Sequence, residues 1–117
     1  MKAHSLKNTD KCGTLYVMKL QGLASVARVG AHSTSNKVRA AQVSKGLGRQ
    51  ARIVWSTNAN SKAHALALEA IAHYFLGHYE RKIQLGGRRF QGFRCTNKVA
   101  IDACVRAIKV LNGKRVR

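Results

Sequence analysis

The chain has 117 residues, with 22 Lys or Arg against 4 Asp or Glu and a formal net charge of +18. That length suits one domain, and 45% hydrophobic residues can build a core, so the charge sits on a folded body and not only on a disordered tail. No run of about 18 apolar residues exists, which excludes a membrane span, and a field of this size and sign draws polyanions, of which nucleic acid is the commonest inside a cell.

In chain order, Met1 to Lys11 is polar, carries three lysines and lacks the apolar stretch of a secretion signal, so residues 1–12 read as a flexible basic arm. Thr14-Leu15-Tyr16-Val17-Met18-Lys19-Leu20 is rich in strand formers, Gln21-Gly22 and Ser25 bracket a turn, and Val26 to Gly30 alternates apolar with polar. The pattern predicts a hairpin. Ser33 to Asn36 offers helix caps, and Val38, Ala41 and Val43 fall at helical spacing before Gly46 and Gly48 stop a short basic helix. Ala51 to Trp55 reads as a third strand ending in a turn-rich stretch from Ser56 to Asn60.

Asn60 or Ser61 then caps a helix from Lys62 to about Tyr79 that is apolar nearly all round, which predicts burial on most of its surface. Gly86-Gly87 opens a loop, Arg89 to Cys95 alternates as a strand, and Thr96 or Asn97 caps a last amphipathic helix that Asn112-Gly113 ends. The expected order is β-β-α-β-α-β-α, a small α/β (α+β) domain over residues 13–111 with a mostly antiparallel sheet, followed by a basic tail at 112–117. Cys12, Cys95 and Cys104 form no CxxC and no paired framework, so the expected home is the reducing cytoplasm.

Asp10, Glu69, Glu80 and Asp102 are all the carboxylates the chain has, too scattered for two-metal chemistry. Glu69 is the most informative of them, because it is the only formally charged side chain between Lys62 and Glu80. A carboxylate on an apolar helix needs a compensating cation, either a basic side chain or a metal ion. His73, four residues on, shares its helix face and is either a partner at a metal or a satisfied core histidine.

Gly13-Thr14-Leu15-Tyr16-Val17, Ala27-Arg28-Val29-Gly30, Arg39 on the next helix, Glu69 on the long helix and Gly87-Arg88-Arg89-Phe90-Gln91-Gly92-Phe93 before the last helix occur in an order that resembles the GIY-YIG nuclease family. Thr14-Leu15-Tyr16 or Leu15-Tyr16-Val17 stands for the first tripeptide and Arg28-Val29-Gly30 for the second. Arg28, where the family usually has tyrosine, looks like a short phage-associated subgroup. The resemblance implies a metal-dependent endonuclease that hydrolyses DNA phosphodiester bonds, with one Mg²⁺ or Mn²⁺ held by Glu69. Tyr16 would orient or deprotonate the attacking water, a role that needs cationic surroundings because a phenol ionises only at about pH 10. Arg28 would supply those surroundings, and Arg39 would also clamp the non-bridging phosphate oxygens.

His32, Lys37, Lys45, Arg49, Arg88 and Arg89 are the candidate nucleic-acid contacts, spread in a way that suits backbone binding over base readout. With no separate specificity module apparent, weak sequence preference or a protein partner is expected in place of strict recognition. Two other readings fit the same residues: a non-catalytic nucleic-acid-binding module of this fold, since the asparagine many members carry after the glutamate has no evident counterpart between Glu80 and Phe93, and a structural RNA-binding protein of a ribonucleoprotein. All three share one expected outcome. If about 6 phosphates are neutralised, affinity for duplex DNA falls with the logarithm of salt at a slope of about −5, measured by titration at several salt concentrations.

Overall fold

The computed structural model describes residues 13–85 and 88–116. The elements run β1 (Gly13–Leu20), β2 (Ala27–His32), α1 (Asn36–Leu47), β3 (Ala51–Ala59), α2 (Lys62–Phe75), a single 3₁₀ turn (Gly77–Tyr79), β4 (Glu80–Leu85), β5 (Arg88–Phe93) and α3 (Asn97–Val116). The strands form one antiparallel sheet in the order β3-β1-β2-β5-β4. This is an α+β domain of the class expected from the sequence.

The sheet is covered on both faces, because successive side chains of a strand point opposite ways. Tyr16, Met18 and Leu20 join Val43 of α1 and Ala51 in one apolar cluster. Leu15, Val17 and Val29 join Leu68 and Ala72 of α2 and Ala100, Ala103, Cys104 and Ala107 of α3 in the other. β1 is thus buried on both sides, which accounts for its continuous apolar run. An irregularity in the β1–β3 ladder at Val17/Met18 pairs Val17 with Trp55 but Met18 with Ile53. Ile53 therefore stays on the α1 side while Val54 and Trp55 both pack on the α2/α3 side.

The helix starts follow the cap chemistry. Ser35 Oγ accepts from Val38 N–H, Ser61 Oγ from His64 N–H and Thr96 Oγ1 from Val99 N–H. Gly48 ends α1 with φ 67°, a conformation open to glycine, whereas Gly46 lies inside the helix.

Five expectations change. Glu80–Leu85 is a strand, not part of a loop, so the order is β-β-α-β-α-β-β-α; its charged residues mask the pattern, and six register pairs with β5 hold it. β3 continues through the turn-prone residues to Ala59 because β1 pairs with it all the way to Gly13. The second helix ends at Phe75, and burial is one-sided: Ala65, Leu68 and Ala72 are buried while Leu66 and Tyr74 are exposed. The last helix passes through Asn112 and Gly113 to Val116, so most of the expected tail is helical. His32, expected on the nucleic-acid surface, is buried. The arm at residues 1–12, with Cys12, and the Gly86-Gly87 turn lie outside the described residues.

Phe93 is 1% exposed and forms the one register pair between β5 and β2, opposite Ala27. Phe93→Ala should destabilise the fold by about 3–5 kcal/mol, measured by urea unfolding followed by circular dichroism.

Candidate active site

The single Ala27–Phe93 pair decides where the site lies. Beyond it β5 parts from β2, and the edge of β2 from Arg28 to Ala31 borders a pocket. Tyr16, Arg28, Arg39 and Glu69 all line it, together with His73 and Gln91. The four residues expected to carry chemistry come from β1, β2, α1 and α2 and meet here.

Tyr16 reaches the pocket because Gly30 opposite has no side chain. A Cβ on Gly30 would come 2.5 Å from the Tyr16 hydroxyl. The phenol is fully buried, and its oxygen accepts a hydrogen bond from Arg39 Nε at 3.1 Å. Arg39 also donates from Nη1 to Gln42 Oε1 at 3.3 Å, and its side chain lines the pocket. Tyr16 therefore stands behind Arg39, not beside it.

Arg39 owes its position to the start of α1. Its N–H bonds the Ser35 carbonyl, and the neighbouring Asn36 is tied on two sides. His32 Nδ1 accepts from Thr34 N–H, so the ring proton is on Nε2, which donates to Asn36 Oδ1 at 2.7 Å; Asn36 Nδ2 then donates to Ser56 Oγ. This chain joins β2, α1 and β3. With both ring nitrogens engaged, His32 anchors the helix and is not the phosphate contact expected from the sequence.

Glu69 sits two turns into α2, its side chain 25% exposed. Burial pushes its carboxyl above the usual range, against the opposing pull of His73, Arg28 and Arg39. His73 Nε2 donates to the Val29 carbonyl at 2.7 Å and lies 3.8 Å from Glu69 Oε2, outside hydrogen-bond distance. The nitrogen nearest the carboxylate is thus already committed to the β2 edge and is not free to share a metal with Glu69. Among the described residues no group of three His, Cys, Asp or Glu side chains is placed to hold a metal. A divalent ion here would have one protein carboxylate, with water and phosphate oxygens completing its shell. Mg²⁺ accepts such a set, since it keeps several waters and binds through one or two carboxylates plus substrate phosphates.

Of the expected surface contacts, Lys37, Lys45, Arg49 and Arg89 are exposed, and Arg88 opens β5. Arg49 is partly committed, because its Nη1 donates to the Gln21 carbonyl in the β1–β2 turn. Three residues escaped the sequence reading. Gln91 brings an amide into the pocket, its Nε2 bonded to Glu80 Oε2 on β4. Lys19 and Arg52 stand directly opposite each other across β1 and β3, both exposed. Like charges in register destabilise a sheet unless an anion relieves them. Gln91 was legible only as one polar residue of an alternating strand, and nothing in the sequence pairs Lys19 with Arg52.

Comparison of the chain with protein-family models, with curated proteins and with solved structures gives no match. The functional reading therefore stands on the geometry of this pocket and on its chemistry.

Two outcomes are expected. The fold raises the Glu69 carboxyl above its unfolded value, so its favourable contribution is complete at acid pH and is lost as pH rises through the folded value. Glu69→Gln should therefore raise the thermal midpoint at neutral pH, with the gain shrinking on acidification; calorimetry across pH checks it. Gly30→Ala should displace the Tyr16 ring and destabilise by about 1–3 kcal/mol, read from denaturant unfolding.

Proposed function

We propose that the chain is a metal-dependent endonuclease that hydrolyses DNA phosphodiester bonds at the pocket between β2 and β5. The observation that carries this reading is Glu69: one carboxylate, held where burial disfavours its charge, beside two guanidinium groups and a tyrosine from separate elements. A residue that opposes folding at neutral pH yet sits at the centre of a convergent polar pocket fits a site where activity and stability compete.

Mg²⁺ or Mn²⁺ held by Glu69 would stabilise charge on the phosphate and leaving oxygens. The chain's own residues supply the rest. Arg39 and Arg28 pair with the non-bridging oxygens of the scissile phosphate, where charge grows as the phosphorus is attacked; a planar guanidinium meets two such oxygens at once. As Arg39 turns to the phosphate it releases the Tyr16 hydroxyl, which then orients the attacking water from the pocket floor. Gln91, braced by Glu80, adds an amide donor at the far wall.

Exposed Lys37, Lys45, Arg49, Arg89, Lys19 and Arg52 hold the DNA backbone and set the salt dependence. Sequence preference is weak, and strict sequence recognition would fall to a protein partner. Among the described residues no helix is long and apolar enough to cross a membrane, and we place the protein in the cytoplasm, that of the host if a phage encodes it.

The full burial of Tyr16 and the single carboxylate also suit a second reading, a nucleic-acid-binding module of the same fold that does not cut. Plasmid cleavage with Mg²⁺, Mn²⁺ or EDTA separates the two. Expected for the nuclease are metal-dependent cuts that fall at least about a hundredfold in Glu69→Gln and in Tyr16→Phe while DNA binding persists. The rate should also fall once the pH is low enough to protonate Glu69, because the neutral acid holds no cation. Binding without cuts in the parent chain would leave the second reading in place.

A further inference from the structure

The pocket has a neighbour that the cleavage chemistry does not use. Between α1 and β5 lies a groove whose floor is apolar, made by Val43, Leu47 and the half-buried Phe90, and whose rim is polar, made by Gln42, Arg28 and Arg39. It holds about 270 Å³ against about 120 Å³ for the pocket, so the pocket suits a phosphate group and the groove something larger and flatter. Its α1 wall is low at Gly46, where an added Cβ would meet nothing within 4 Å. Glycine inside a helix costs about 1 kcal/mol relative to alanine, and no steric demand explains it here. Arg28 also lies 5.8 Å from the centre of the Phe90 ring, which ties the rim to the floor.

We propose that this groove receives a nucleobase swung out of the stack, next to the phosphate held by Arg28 and Arg39, so that the preferred substrate is DNA with an unpaired nucleotide beside the scissile bond. This rests on the nuclease reading for the position of the phosphate. The two arginines border both cavities, so a phosphate on them places its own nucleotide within reach of the groove. A base has an apolar face for Phe90 and a polar edge for Gln42, and a stacked, paired base offers neither to a groove beside the backbone. The floor residues also pack α1 on the sheet, and the groove is the side of that packing left open beside the two arginines.

The test measures binding in EDTA by fluorescence anisotropy, comparing a fully paired DNA duplex with the same duplex carrying one unpaired 2-aminopurine, whose emission is followed in parallel. The parent chain should prefer the unpaired duplex by about tenfold, the size of one base–aromatic stack, and alter the 2-aminopurine emission on binding. Phe90→Leu, which keeps the floor apolar but removes the ring, and Gly46→Leu, which fills the groove and favours the helix, should each bring the two affinities together while paired-duplex binding persists. Equal affinities in the parent chain, or a preference that survives both substitutions, would overturn the proposal. Because no cutting is needed, the two readings fail separately: a chain that prefers the unpaired base but never cleaves loses only the nuclease reading, and one that cleaves without preference loses only the groove. Absence of DNA binding would sink both.

Discussion

The arrangement of the molecule depends on how briefly β2 and β5 are joined. Their ladder has one register pair, Ala27 with Phe93, after which the strands part. A longer ladder would have placed β5 along Val29 and Ala31, satisfied the Val29 carbonyl with a backbone N–H and walled α2 off from Arg28. Parting leaves that carbonyl to His73 and opens the sheet, so that Glu69, on a helix packed against one face, feels Arg28 and Arg39 from the other. Phe93 keeps the opening from spreading, because it is sealed in the core at the point of divergence.

Around that opening the molecule accepts several local penalties. A carboxylate is partly desolvated and a tyrosine is laid across a strand that must be glycine at the crossing point, while farther off, across β1 and β3, like charges face each other at Lys19 and Arg52. Each is unfavourable for a domain selected only to fold. The first two lie at one pocket, where a cation would relieve the carboxylate; an anion would relieve Lys19 and Arg52, which line a separate cavity.

The pocket and the groove share two arginines. One guanidinium pair borders a small polar cavity and a larger apolar one, so the proposed charge recognition and base accommodation would meet at the same side chains. The His32–Asn36–Ser56 chain supports both indirectly, because it fixes the first turn of α1 and with it the direction of Arg39. A shift of α1 would change both cavities together.

Much of this was legible from residue order. Strand-rich Thr14 to Leu20, the capping serines and the glycine stop at Gly48 announce themselves through local backbone and side-chain chemistry, and Glu69 stands out because desolvation singles out a lone carboxylate in an apolar run. Glu80 to Leu85 did not, since its strand state comes from pairing with β5 and not from its own charged pattern, and the strand state of Ser56 to Ala59 likewise comes from β1. Sequence alone determined that a basic domain would carry Tyr16, Arg28, Arg39 and Glu69 on separate elements. Only the tertiary structure decided that they meet, that Tyr16 lies buried behind Arg39, that His32 and His73 are hydrogen-bonded, and that Gln91 and the Phe90 groove join them, because those outcomes depend on where strands part and helices cross, which no local propensity encodes.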